Sequence, residues 1–556
     1  MKRLLLATVL IAAPMLANSS FAQGAASTPS IDPARLSAHI KVLSSDEFEG
    51  RGPATAGETK TVDYIVGQMK AIGLEPAGDL KDGTRAWTQD VPLGKFDIKG
   101  PVDARFTVGG KAVPLAQGEQ IAIRAAMTNV DAVAIKDAPL VFVGYGVKAP
   151  ERNWDDFKGM DLKGKVLVVL VNDPDFETGS GDFGGKAMTY YGRWTYKYEE
   201  AARQGAAGVL IVHETAPASY GWATVKNSNT NTMFDIVRQD PARTHPNLEA
   251  WIQRDAAVEL FKASGLDFEA LKTQAQRRDF KPVELKGATF SAAYAVDHSV
   301  IVSKNIAGRV KGTQRPDETV IYSGHWDHLG VGQPDARGDR IYNGAIDNAD
   351  GIAAILELAR AFKSRPAPQR SVLFLAVTAE ERGLLGSEYY AANPLFPLSK
   401  TVADLNIDAL SAAGPAKDIS TSGDGKVDLL DMLVAKAKAH GRDFTPDATP
   451  QAGSFYRSDH FPFAKRGVPA ISVRSGDDLV VGGLEAGRKA RADYTANRYH
   501  QPADEWRGDW DLSGQVQDIG LFYEVGADLA NSTVWPEWQA GSEFKALRDE
   551  TKADRK

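Results

Sequence analysis

Residues 371–377, Ser-Val-Leu-Phe-Leu-Ala-Val, constrain the fold of this chain more than any other stretch. An unbroken apolar strand has no face for water, so it belongs inside a sheet that is covered on both sides. From residue 300 onward the pattern around it repeats strand, loop, helix. Residues 319–323, 402–407 and 470–473 read as strands and 348–362 as a helix. The alternation predicts an α/β fold with a mixed, mostly parallel central sheet flanked by helices. Such sheets bind ligands outside the carboxyl ends of their strands, and chemistry is expected there.

Those ends are rich in residues that bind metals. The strand at 319–323 runs into Gly324-His325-Trp326-Asp327-His328. Asn343-Gly344-Ala345-Ile346-Asp347-Asn348 stands immediately before the helix. The apolar strand runs into Thr378-Ala379-Glu380-Glu381, the strand at 402–407 ends in Asp408, and Tyr499-His500-Gln501-Pro502-Ala503-Asp504 supplies a further His. Each has an ordinary explanation when taken alone. Asp347 and Asn348 can cap a helix, Glu380 and Glu381 can be solvated loop charges, and a single His is usually just hydrogen-bonded. Those explanations do not account for all the strand ends together. Adjacent acids at the end of a buried strand repel one another unless a cation offsets them. Imidazole with carboxylate, in a chain without Cys, suits zinc in a catalytic site.

The chain has 556 residues, too many for one hydrophobic core. Its composition, 43% hydrophobic and 25% charged, is that of a folded soluble protein. A net charge of −7 without a basic stripe argues against a nucleic-acid partner. Two helices are expected between 31 and 75. Asp32 caps the first and Pro33 opens it; Leu36, Ile40 and Leu43 share one face. Val62, Ile65, Met69 and Ile72 share a face of the second, which stops at Gly73. Between about 85 and 298, strand-like runs at 139–143, 165–171 and 207–212 occur without any cluster of metal-type residues, which reads as a mixed α/β insert. At the N-terminus, Lys2 and Arg3 precede an apolar run over 4–16 and then Ser20-Phe21-Ala22, the pattern of a signal peptide cleaved after Ala22. The run is short for a membrane span, so no stable membrane insertion is expected after cleavage. With no Cys for disulfides or a lipid anchor, the expectation is an exported bacterial protein, periplasmic or secreted.

Taken together, the G-H-W-D, N-G-A-I-D-N, T-A-E-E, N-I-D-A and Y-H-Q-P-A-D segments resemble peptidase family M28, co-catalytic zinc exopeptidases on a phosphorylase/hydrolase-like α/β fold. Leu43-Ser44-Ser45-Asp46-Glu47-Phe48-Glu49-Gly50-Arg51 is similar to that family's N-terminal segment. The insert is similar to a protease-associated (PA) domain, through Asp161-Leu162-Lys163-Gly164-Lys165 and Gly205-Ala206-Ala207-Gly208. After the signal peptide over 1–22, the expected organisation is a peptidase domain made of 23–95 and 299–535, interrupted by a PA-like insert over 96–298 and followed by a C-terminal tail over 536–556. The resemblance implies two Zn²⁺ ions, with His325 and Asp408 on one, Glu381 and His500 on the other, and Asp347 bridging them. Glu380 is then the general base, and the Asp327 carboxylate hydrogen-bonds His325. The implied reaction releases N-terminal residues from peptide substrates, using a zinc-bridged hydroxide. Ser454-Phe455-Tyr456-Arg457-Ser458-Asp459-His460 resembles a segment near the substrate pocket, which makes Phe455, Tyr456, Ser458, Asp459 and His460 candidates for its lining. His328 is expected at the cleft but not as a ligand.

Two other readings stand beside the aminopeptidase. A carboxypeptidase of the same family would need arginines for the substrate carboxylate; the sequence shows no convincing cluster, with Arg457 and Arg474 left as candidates. A non-catalytic scaffold that binds partners through the PA-like insert would have no use for a poised base.

Overall fold

The computed structural model describes residues 30–423 and 425–555; the expected signal peptide lies outside them. Helix α1 (Pro33–Leu43) is capped by the Asp32 carboxylate, which accepts the N–H groups of Ala34 and Arg35. It buries Leu36, Ile40 and Leu43. Helix α2 (Ala56–Ile72) buries Val62, Ile65 and Met69 and ends at Gly73, whose φ of 83° lies in the left-handed region that favours glycine.

The strands follow in chain order: β1 (Thr88–Val108), β2 (Ala132–Phe142), β3 (Val166–Leu170), β4 (Gly208–His213), β5 (Leu248–Gln253), β6 (Val283–Val310), β7 (Arg315–His325), β8 (Arg370–Val377), β9 (Thr401–Ile407), β10 (Asp418–Thr421), β11 (Asp443–Phe444) and β12 (Ala470–Ser475). They lie in one hydrogen-bonded sheet in the order β11-β10-β12-β9-β7-β8-β6-β2-β3-β4-β5. Within it, β8, β7, β9 and β12 are mutually parallel, and so are β2, β3, β4 and β5. Between the two parallel sets runs β6, antiparallel to β8 at its end and to β2 along its first half.

The apolar run at 371–377 is the centre of the C-terminal set. Every residue of β8 is buried. Val372, Phe374 and Ala376 face one core, which is shared with α1, α2 and two further helices, α3 (Asp350–Lys363) and α4 (Ser513–Ala530). Leu373, Leu375 and Val377 face the opposite side, with Tyr390 and Phe463. The side-chain period of two thus serves two cores at once, and each of these Val, Leu and Phe side chains contributes about 1.5–3 kcal/mol of burial.

The strands of 96–298 enclose cores of their own, one around Phe142, Phe261 and Phe290 and one around Trp251 and Val169. The two regions are nevertheless not separate sheets. The boundaries at 95/96 and 298/299 fall inside β1 and β6, which pair with each other from Thr88↔Ile306 to Val108↔Ala288. A charged seam adds to this ribbon: Arg238 bridges Asp235 and Glu388, and Glu388 also holds Arg466.

The segment 536–556, expected as a tail, is anchored to the body by a few buried side chains. Trp538 is buried and donates its indole N–H to the Gly467 carbonyl. Buried Arg548 donates to the carbonyls of Thr401 and Val402. Two large side chains with matched acceptors give this segment a docking site that its charged sequence conceals. Among the described residues no helix is long and apolar enough to cross a membrane.

Candidate metal centre

Parallel pairing aligns the carboxyl ends of the central strands. The register sets His325, the last residue of β7, beside Val377 of β8. Glu380 and Glu381 occupy the short helical turn just after β8, and Asp408 directly follows β9. Asp347 lies in the turn before α3, and His500 follows a helix over Gly483–Asn497. Side chains from five separate segments therefore meet at one sheet edge.

There each imidazole stands between carboxylates. His325 Nε2 is 3.3 Å from Asp347 Oδ1 and 3.4 Å from Asp408 Oδ1. His500 Nε2 is 3.1 Å from Asp347 Oδ2 and 3.2 Å from Glu381 Oε2. Asp347 thus turns one oxygen to each histidine. The donor atoms gather into two groups able to hold an ion, His325–Asp347–Asp408 and His328–Asp347–Glu381, with Asp347 in both. Neither Glu380 nor His500 belongs to either group, but His500 faces two of their carboxylates, Asp347 and Glu381.

His328 is the residue that the sequence reading placed outside the ligand set. Its ring is fully buried, with Nδ1 2.6 Å from Glu381 Oε1, and it stands edge-on to His500 at 5.7 Å between centroids. Its position three residues after His325 was the available signal. Asp327 also differs in detail. The His325 Nδ1–H donates to the Asp327 backbone carbonyl at 3.1 Å, while the Asp327 carboxylate is 3.8 Å away and instead accepts the Glu380 N–H. Asp327 therefore fixes His325 through its main chain and Glu380 through its side chain.

The supporting contacts come from parts of the motifs to which the sequence assigned no role. Arg51 is fully buried; its guanidinium donates to the carbonyls of Trp326, Asn343, Gly344 and Leu43. It ties the two ligand-bearing loops to the N-terminal segment and sets a positive charge near Asp347, Asp504, Asp327 and Glu381. Asp504 accepts the N–H groups of Ile346 and Asp347 and the hydroxyl of Tyr494. Asn348 donates to the Ile407 carbonyl and accepts the N–H groups of Gly351 and Ala409, which joins the end of β9 to the start of α3. Gly344, at φ 54°, lies so close to the His328 ring that a Cβ there would come within 2.6 Å of it. Ala379, Ala409 and His500 hold positive φ beside the candidate ligands, local strain of the kind that collects at functional sites. Replacing Arg51 by Met should strip four buried carbonyls of their donor and cost about 3–5 kcal/mol. Urea denaturation would show the loss, and Arg51→Lys should recover only part of it, since one ammonium cannot span the same four acceptors.

The electrostatics are those of a crowded acidic site. Burial pushes the Glu380 carboxyl well above its usual range, and Glu381, Asp408 and Asp459 add to this against His325. Burial also raises Asp327, to about 6. Asp347 is held well below the usual range; burial opposes this, but its bonds to His325 and His500 prevail. Burial works against the charge on His500 as well, yet Asp347 and Glu381 lift it to about 10. His500 Nε2 and Glu381 Oε1 are buried, and among the described residues their only close partners are their neighbours in the centre, Asp347, Glu381 and His328, at ion-pair distances. Imidazole nitrogens and carboxylate oxygens converging in this way, with no thiol in the sequence, fit a divalent cation such as zinc.

A cavity of about 530 Å³ adjoins the centre, lined in part by Asp408, Ile346 and Tyr499. From the 454–460 segment, Ser454, Arg457 and Ser458 line it, and Ser458 Oγ donates to Asp408 Oδ2 at 2.7 Å. Phe455, Tyr456, Asp459 and His460 are buried in the wall behind. Phe455 stacks on Phe544 and meets His460 edge-on, and Asp459 accepts the Ser387 hydroxyl.

Residues 305–523 match the model of peptidase family M28. "Aminopeptidase YwaD" of Bacillus subtilis (strain 168) is 25% identical over 447 residues, which cover 79% of this chain and 76% of that one. A "Probable zinc metalloprotease" of Pyrenophora tritici-repentis is 35% identical over 103 residues, 18% of this chain and 23% of the relative, so the match spans under a quarter of that protein's length. Among solved structures, the aminopeptidase from Aneurinibacillus sp. strain AM-1 is 19% identical, with a TM-score of 0.45 over 90% of this chain and 94% of that one.

Proposed function

Residues 305–523 belong to peptidase family M28, and on that premise we propose that the protein is an exported metallo-aminopeptidase that uses two zinc ions and a glutamate general base to release N-terminal residues from peptides. The observation that carries this reading is Asp347, which is common to both donor groups and whose two carboxylate oxygens face different histidines, His325 and His500. His325 and Asp408 would hold one ion, Glu381 and His500 the other, with His328 against Glu381. The relatives' printed names, an aminopeptidase and a probable zinc metalloprotease, point the same way. The region 96–298 is read as a PA-like insert, and residues 1–22 as a signal peptide that delivers the protein to the periplasm or exterior.

Zinc supplies a Lewis acid that lowers the pKa of water toward ~7 and polarises a carbonyl. The protein's own part is proton transfer and placement. Glu380, its backbone N–H fixed by Asp327, takes the proton of the attacking water and returns it to the departing amine. The peptide enters through the cavity beside Asp408.

The test is hydrolysis of amino-acid amides by the purified protein before and after chelation, with metal content measured on the same samples. The expected result is loss of hydrolysis on chelation and its return as zinc is restored to two per chain. An active protein whose rate is indifferent to chelation would refute the reading, and release from the C-terminal end of blocked peptides would assign it to a carboxypeptidase instead.

A further inference from the structure

The turn that carries Glu380 and Glu381 has a conformation that its own residues disfavour. The chain enters it through Ala379 at φ 53° and leaves it through Gly383 at φ 113° and Leu384 at φ 62°. Residues with a Cβ seldom adopt the left-handed region, and they stay there only where the surroundings fix them. Part of that fixing is local. The Arg382 and Leu385 N–H groups donate to the Ala379 carbonyl at 3.3 and 3.1 Å, and the Gly386 N–H donates to the Thr378 carbonyl at 2.8 Å. The remainder comes from the 96–298 region. Its strand Met233–Ile236 runs antiparallel to the start of β1, from Met233↔Phe96 to Ile236↔Leu93. Buried Ile236 shares a small apolar cluster with Val91, Leu93, Leu385 and Ala379 itself. Phe234, two residues earlier and so on the same face of the strand, packs against that cluster. Its ring also receives the Arg382 guanidinium, 5.5 Å from the ring centroid, an attraction between a cation and an aromatic face. Two residues past the strand, Arg238 reaches Glu388 at 3.3 Å, in the helix Leu385–Ala392 that continues from the turn. The strand thus meets the turn at its entry, Ala379, and at its exit, Arg382, with Glu380 and Glu381 between them.

Resting on the reading of Glu380 as the general base, we propose that the strand Met233–Ile236 positions that base, with Phe234 and Ile236 as positioning residues. Neither side chain touches the reacting atoms; both act through the backbone of the turn. Glu381 rides on the same turn, but His328 and His500 also hold its carboxylate. Glu380 is tied by its backbone N–H to Asp327, so its aim follows the turn. Loosening the strand is therefore expected to disturb proton transfer before it disturbs metal binding. On this reading the 96–298 region forms part of the catalytic machinery of the centre and is not a separable appendage.

The experiment uses the full-length, zinc-loaded protein and Phe234→Ala. Phe234 is only partly buried, so its truncation leaves the fold standing. Turnover of an amino-acid amide should fall about tenfold in kcat, in line with the sensitivity of catalysis to small misplacements, while KM and zinc content stay near the parent's. Phe234→Tyr, which keeps the ring, should restore turnover. In a Glu380→Gln background the same Phe234→Ala substitution should change kcat less than about twofold, because a residue that acts through the base has nothing left to act on. A general loss of fold or metal would lower both backgrounds alike. Hydrogen exchange gives a reading that does not depend on activity: the amides of residues 382–386 should exchange at least about tenfold faster in Phe234→Ala, with β8 unchanged. An unaltered kcat, an equal fall in both backgrounds, or unaltered exchange in the turn would overturn the proposal and leave the aminopeptidase reading intact. If Glu380→Gln alone turns over normally, the reading of Glu380 as base fails instead. Exchange then decides by itself whether the strand holds the turn: faster exchange sustains the contact, and unaltered exchange overturns it.

Discussion

Glu380→Gln should lower kcat by about 10²–10⁴ while both zinc ions stay bound, whereas Glu381→Gln should release metal. The two residues are neighbours in one short turn and share its backbone, so their different surroundings set their roles. Glu381 lies in a donor group with Asp347 and His328 and faces His500. Glu380 lies in no donor group, and its N–H is held by Asp327. A neutral amide is a poor ligand for a dication, so Glu381→Gln weakens a site. At position 380 the amide removes only the ability to accept a proton. The measurement pairs zinc content with steady-state kinetics for each variant, and KM should change far less than kcat in Glu380→Gln. Near-normal turnover in that variant, or loss of zinc from it, would remove Glu380 from the role of base.

Asp347→Ala should empty both metal sites, while Asp408→Ala and His500→Ala each weaken one. Asp347 is the member that the two donor groups share, and its two oxygens serve different histidines. Metal analysis after dialysis gives the answer directly. A second measurement guards against misfolding. In the metal-free state Asp347 pairs with His325 and His500 and is held well below the usual carboxylate range, so the metal-free variant should melt modestly below the metal-free parent but still unfold cooperatively. Zinc should raise the melting temperature of the parent but not of the variant. Retention of two zinc ions at ordinary affinity would disprove the bridge.

The cluster of candidate residues was legible in the sequence because the α/β rhythm puts strand ends together, and His325, Asp347, Glu380, Glu381 and Asp408 each mark such an end or a helix entry; His500 follows a helix and was visible only through its motif. The run at 371–377 matched β8 nearly residue for residue, since an apolar stretch bounded by charge leaves little freedom. β1 and β6 were not foreseen: their burial alternates irregularly, with exposed stretches in mid-strand, and their existence depends on pairing with each other across nearly two hundred residues. Arg51, Asp504 and Asn348 were visible within motifs but carried no sign of their partners, because a side chain that donates to distant carbonyls leaves no periodicity.

Arg51 also sets the order in which the molecule can be assembled. Its acceptors lie as far as 275 and 293 residues further along the chain, at Trp326 and Gly344. Closing a loop of that length costs about 5 kcal/mol of chain entropy, so the contact forms only when other interactions have already brought the ends together. At ribosomal speeds of ~5–20 residues per second, the N-terminal segment waits roughly 14–55 s for those acceptors to be made, and His500 follows later still. Helices α1 and α2 therefore spend the synthesis of the whole 96–298 region with their apolar faces uncovered, which makes this interval the molecule's main exposure to aggregation and to holding chaperones. The catalytic edge of the sheet is correspondingly among the last parts to become whole, and a chain interrupted before it is finished carries the ligands' sequence without their geometry.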